Sequence, residues 1–364
     1  MTVKLVEKND INALLAIFDD LQFNLYDLPP DKSFLHFDEA LFSYIEYFSI
    51  KNSHGPVDSV QIRDGRLKLK SLNPLALLVG LRYLDLGAIT YIADLGPLAN
   101  LTSLYYLELS DGINVQDLGP LSHLVNLGIL VLGRFRLVRD VSPLANLINL
   151  TNLTMTGGAL LSDLSPIREL RNLSLVDLSG GQRIKNLAPL ADLDQLISLN
   201  LAHCSELEEL GDLANLRRLG YLNVGDCPKV KDLAPLSVLK GLTSLVLFGD
   251  HEIADFQPLA SLKGLTNLIL SGASQLADLS PLEGLTELSY LNLGGCPAIT
   301  DLGPLSRLTA LTHLNLSGCP GIRDLRPLAG LKKLNFLDLT GCDGIKSLDN
   351  LAGLPNVKII GKKS

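Results

Sequence analysis

The chain has 364 residues, 47% of them hydrophobic, yet only 5% are aromatic and tryptophan is absent, so leucine must supply the core. A net charge of -8 argues against the Lys/Arg-rich face that nucleic acid or anionic lipid needs. No apolar run of 18 residues is present to span a membrane, so no membrane insertion is expected.

The first fifty residues carry nine acidic and three basic side chains. They also hold Phe18, Phe23, Phe34, Phe37, Phe42 and Phe48 with Tyr26, Tyr44 and Tyr47. Ile11, Leu14, Leu15 and Phe18 match a helix stripe, and Leu41, Tyr44, Ile45 and Phe48 match another. Leu28-Pro29-Pro30 breaks the chain between them. Residues 1–55 are therefore expected to form a helical N-terminal cap; the sharper alternative is an acidic docking module for a basic partner. Glu7 and Asp10 interrupt the opening segment MTVKLVEKND, which predicts no signal peptide and a cytoplasmic location. Export by a route without a signal peptide is the second expectation.

From residue 56 to 364 a strict period takes over. Pro74, Pro97, Pro120, Pro143, Pro166, Pro189, Pro235, Pro258, Pro281, Pro304 and Pro327 lie on one lattice of 23 residues, with Asp212 and Asn350 at its two other points. A fixed period of this length predicts a solenoid of about 12–13 repeats, each coil touching only its neighbours. Residues 278–300 show the plan. Leu288, Leu291 and Leu293 mark a short strand, Gly294-Gly295-Cys296 a turn, and Ile299 a return to the interior. Leu305, Leu308 and Leu311, three apart, suit a 3-10 or single-turn α segment opened by Pro304. The Asp column (Asp94, Asp117, Asp140, Asp163, Asp232, Asp255, Asp278, Asp301 and Asp324) is placed to accept backbone N–H bonds at that turn. Strands are expected near Val60, at Leu84 and every 23 residues to Leu337, and near Ile360.

Cys204, Cys227, Cys296, Cys319 and Cys342 are separated by multiples of the repeat and should stack as reduced, buried thiols.

The pattern L-x-x-L-x-L-x-x-C-x-x-I-x-D-L-x-P-L resembles the leucine-rich repeat family over about residues 57–361. The D-L-x-P-L return is similar to that of bacterial internalins and of the phosphatase-1 regulator type, with one residue added between Cys and Ile. The resemblance implies an α/β leucine-rich repeat solenoid, with a curved parallel β-sheet on the concave side and short 3-10/α segments on the convex side. For function it implies protein–protein recognition.

The variable positions flanking the inward strand leucines give the candidate surface. One zone is aromatic and acidic: Tyr83, Tyr105, Tyr106, Asp85, Glu108 and Asp111. A second is apolar: Val246, Phe248 and Ile269. A third is polar: Tyr221, Asn223, His203 and Asp226, then Tyr290, Asn292, His313 and Asn315, with Phe336 next in the column. The bland reading of each is a solvated sheet face. Arg134, Phe135, Arg136 and Arg139 form one basic cluster on a strand-exit edge, read as solvated or as a contact for an acidic ligand.

No HExxH, GxSxG, Walker-type loop or dinucleotide fingerprint occurs, so no enzyme activity, cofactor or metal is expected. The reading is a non-catalytic scaffold that binds a protein on its concave sheet; a monomer is favoured, although the sequence leaves the oligomeric state open. The alternatives are a secreted effector or adhesion module resembling internalins, and a regulatory subunit of an enzyme such as a phosphatase.

Overall fold

A computed structural model describes residues 47–51, 59–63, 71–87, 89–249, 252–354 and 356–361. The expected helical cap falls mostly on residues 1–46, outside the described residues. Its last stretch is corrected: Tyr47–Lys51 is a strand, not the end of a helix stripe. Tyr-Phe-Ser-Ile-Lys is rich in aromatic and β-branched residues, and the neighbouring strand presents an open edge of N–H and C=O groups for it to pair with.

The chain divides into two compact units, Met1–Gly181 and Gln182–Ser364. The first holds strands β1 (Tyr47–Lys51), β2 (Ser59–Arg63), β3 (Tyr83–Leu86), β4 (Tyr106–Leu109), β5 (Ile129–Gly133), β6 (Asn152–Thr156) and β7 (Leu175–Asp177). β1 runs antiparallel to β2, and β2 to β7 pair in sequence order, all parallel. The second unit holds β8 (Ser198–Asn200), β9 (Tyr221–Asn223), β10 (Ser244–Val246), β11 (Asn267–Ile269), β12 (Tyr290–Asn292), β13 (His313–Asn315), β14 (Phe336–Asp338) and β15 (Lys358–Ile360), also parallel and in order. Both units are thus solenoids of parallel strands, one strand per coil from β2 onward.

Each strand obeys a period of two. In β4, Leu107 and Leu109 are buried while Tyr106 and Glu108 are half-exposed on the opposite face. The return path obeys a period of three. Leu121 N–H donates to Leu118 O (2.9 Å), Leu124 to Leu121 O (3.0 Å) and Leu127 to Leu124 O (3.0 Å), so each leucine closes one 3-10 turn and opens the next. Each of these leucine side chains is fully buried, contributing roughly 1.5–3 kcal/mol of apolar transfer.

The Asp column holds the entry to this segment. Asp117 Oδ1 accepts the Gly119 N–H at 2.7 Å, and the same contact recurs from Asp94 to Asp324. Asn186 does the same at 2.8 Å. At Asp163 and Asp278 the following serine hydroxyl, then its backbone N–H, lowers the carboxyl below its ordinary range.

The cysteines are buried as thiols and form no disulfide. The thiols of Cys227, Cys296, Cys319 and Cys342 each donate to a backbone carbonyl of the preceding coil at 3.0–3.2 Å, namely Leu201, Leu270, Leu293 and Leu316. Burial pushes Cys227 up to about 11 and Cys319 up to about 12. All five cysteines should therefore resist a thiol-specific disulfide reagent at pH 8 in the native protein and react together in denaturant. Fast labelling of the folded chain would contradict this ladder.

Candidate protein-recognition face

The face of each sheet turned away from the leucine core carries the sequence-predicted columns. In the first unit, Tyr83 and Tyr106 are paired in register, and their rings stack at 4.2 Å with 9° between planes. The Tyr106 hydroxyl donates to Glu108 at 2.6 Å, and the Ser110 hydroxyl reaches the same carboxylate at 3.4 Å. Burial, then the Glu108 contact, raises the Tyr106 hydroxyl far above its ordinary range, so it stays a fixed donor.

Two members of that zone behave differently. Asp85, expected on the exposed face, is 0% exposed. It lies in register beside Glu108, and the stacked Tyr83 and Tyr106 rings share its face of the sheet. Tyr105 is exposed, but it precedes β4 and its ring lies over Gly128 on the next coil. Asp111 faces Arg134, with 3.0 Å between their charged groups.

The second unit brings two predicted zones together. Phe248 lies past the end of β10 and its ring covers Gly225 on the preceding coil, where a Cβ would collide with it. It meets the His203 ring edge-on at 5.8 Å. His203 Nδ1 lies 3.1 Å from Asp226 Oδ2. Val246, expected as an exposed apolar contact, is only 6% exposed. Asn223 and Ile269 flank it in register, and the larger Phe248 follows two residues on along the same face. Ile269 stays half-exposed, as does Tyr221.

Farther along, Tyr290, His313 and Phe336 occupy one register row on β12, β13 and β14. Their rings form a continuous stack, with centroids 6.0 and 5.8 Å apart and planes within 28° and 26°. Thr312 Oγ1 lies 2.9 Å from His313 Nδ1, which fixes that ring nitrogen. Tyr290 and His313 are exposed and Phe336 is half-exposed.

The asparagine column has a structural duty that sequence reasoning missed. Asn223, Asn292 and Asn315 each accept the N–H two residues ahead, at 2.9, 2.9 and 2.8 Å. Asn200, Asp177 and Asp338 do likewise. These side chains cap the strand exit, so their oxygens are already engaged, and the aromatic row beside them is the part of the face with unspent contact area. The signal was present as an Asn or Asp two residues before those six bends.

A second feature escaped the sequence reading. The bend after each strand needs a positive φ at one lattice point. Gly157, Gly180, Gly249, Gly272, Gly295, Gly318 and Gly341 supply it, but Asp111, Arg134, His203 and Asp226 adopt it at 50–60° without being glycine. Those four form the two couples just described, Asp111 with Arg134 and His203 with Asp226.

Among the described residues, no group of three or more His, Cys, Asp or Glu side chains is arranged to hold a metal ion. No described helix is long and apolar enough to cross a membrane.

A family model for leucine-rich repeats, in two copies, matches residues 309–353. No curated protein sequence matches the chain. Among solved structures, the internalin InlF of Listeria monocytogenes is 27% identical, covering 96% of this chain and 94% of its own, with a TM-score of 0.71. The Leptospira interrogans leucine-rich repeat protein LIC12759 is 21% identical over 83% of this chain and 71% of its own, TM-score 0.61. The functional domain of InlJ from Listeria monocytogenes, which includes a cysteine ladder, is 21% identical over 80% and 67%, TM-score 0.56. The 23-residue coils, their leucine lining and these likenesses agree: the chain folds as a leucine-rich repeat solenoid, similar in fold to the internalin InlF.

Proposed function

We propose that this protein is a non-catalytic recognition scaffold that grips a protein partner on the side-chain face of its sheet. The observation that carries the reading is the stacked row Tyr290–His313–Phe336. Aromatic side chains held in one orientation give large contact area with little rotamer freedom left to lose, which is the anatomy of a binding hot spot. The strands that hold the row are each paired with a neighbour on both sides, and the polar oxygens around it are already capped. A partner therefore meets a preordered surface.

A photo-crosslinking amino acid placed at Tyr290 should capture a discrete partner from a lysate of the cell of origin. The same group at Val238, exposed on the outer 3-10 segment, should not. The adduct should disappear in the His313→Ala/Phe336→Ala variant. Capture from Val238 instead, or capture indifferent to the double substitution, would rule the face out.

The likeness to InlF favours a second reading, an effector or adhesion module that meets its partner outside the cell. It uses the same face. Localisation of the tagged full-length protein in the native cell separates the two.

A further inference from the structure

We infer that the strand-exit loop Arg134–Arg139 is a second docking surface, separate from the sheet face, for a short Asp/Glu-rich protein segment bearing an apolar side chain. Three observations converge on it. Arg134 is held at a φ of 58°, in a column where most coils place glycine. Non-glycine residues in this region persist where surrounding structure over-determines them, and they concentrate at binding sites.

The loop is also anchored from beneath. Phe135 is buried and fills the space left by Gly112 on the preceding coil, where any Cβ would strike its ring. Val138 is buried as well. These two inward residues turn Arg136, Leu137 and Arg139 outward, all three exposed.

The third observation is the chemistry presented. At the lattice points of Arg136 and Arg139, the flanking coils of this unit carry Ile113 and Ala159, and Gln116 and Ser162. Among the described residues no ion pair engages Arg136 or Arg139, while Arg134 uses one guanidinium nitrogen on Asp111 and keeps further donors. Leu137, 36% exposed, sits amid the three arginines, and half-exposed Leu160 occupies the same point on the next coil. Guanidinium forks around an apolar strip fit carboxylates spaced about an aliphatic or aromatic anchor.

The same edge disfavours a continuous polyanion. Asp117, Asp140 and Asp163 run along it beside Arg139, one per coil. A nucleic acid strand crossing several coils would meet that row, whereas a short segment lying along one loop would not.

The test uses the full chain and a fluorescein-labelled 12-residue peptide of Glu-Leu-Asp repeats, read by fluorescence anisotropy at low salt. Controls are the Gln-Leu-Asn counterpart and a 20-nucleotide oligothymidylate. The acidic peptide should bind and the amide peptide should not. Arg136→Glu/Arg139→Glu should weaken binding about tenfold or more, because reversing exposed charges at a complementary surface acts on each contact. Arg134→Gly, which suits the backbone, should weaken binding while leaving the circular dichroism melt intact. Arg217→Glu, a charge reversal at an exposed residue of the second unit, should change nothing. No binding of the acidic peptide, unchanged affinity in the charge-reversal variant, or displacement of the peptide by oligothymidylate would each overturn the inference.

Discussion

Phe135→Ala is expected to destabilise the first unit by about 3–5 kcal/mol, the range for deleting a fully buried aromatic ring. The ring is 1% exposed and projects into the gap above Gly112. Its coil-to-coil neighbours in the same column are Gly112 and Gly158, too small to refill the space. Gly112→Ala alone should also destabilise, by roughly 1–3 kcal/mol, because the new methyl must displace a packed ring. The two changes together should be milder than their sum, since the alanine methyl then enters the space the ring has vacated. Urea unfolding of the four proteins gives the coupling directly. Additive losses would mean that Phe135 and Gly112 do not pack as described. The expected pattern matters beyond stability, because this pair sets the shape of the loop that carries Arg134, Arg136 and Arg139.

Such pairs mark the boundary of what the sequence makes legible. The coil is written in spacing: leucines two apart dictate a strand, leucines three apart dictate 3-10 turns, and an Asp before the turn supplies its acceptor. Those signals are local or strictly periodic, so one repeat explains the rest. The exceptions depend on contact between coils. Phe135 over Gly112, Phe248 over Gly225 and Tyr105 over Gly128 each join a large ring to a glycine 23 residues away. Read along the chain, each looks like an unrelated deviation; read across the lattice, each is one packing unit. The candidate face divides in the same way. Tyr83 with Tyr106, and Tyr290 with His313 and Phe336, share columns that the period reveals. Asp85 and Val246 share those columns too, yet they are buried, because exposure on a sheet is set by the size of the neighbours and not by alternation alone. Tyr47–Lys51 is the remaining lesson: Phe48, the last residue of an apolar stripe with helical spacing, lies in β1, which pairs with the edge of β2.

The positive-φ column yields a second large effect, and one with an asymmetry. Gly180→Val should destabilise by about 3 kcal/mol or more. Part of this is the backbone: an L-residue in the left-handed region costs about 1–2 kcal/mol, and a β-branched one exceeds that. The rest is steric. A Cβ at Gly180 would stand 3.0 Å from Gly157 Cα and 3.2 Å from its nitrogen, and neither atom can turn aside as a side chain would. The reverse change at the same lattice point, Arg134→Gly, should move stability by no more than about 1 kcal/mol. It relieves the φ of 58° but gives up the exposed contact with Asp111, a pair of the kind worth roughly 0.2–1 kcal/mol. Denaturant midpoints at a fixed slope measure both. A large loss in Arg134→Gly would show that the arginine is there to hold the coil together. A large loss in Gly180→Val beside a small one in Arg134→Gly would leave the arginine without a folding role to account for its strained backbone, and only a contact made by its outward donors would remain to explain it.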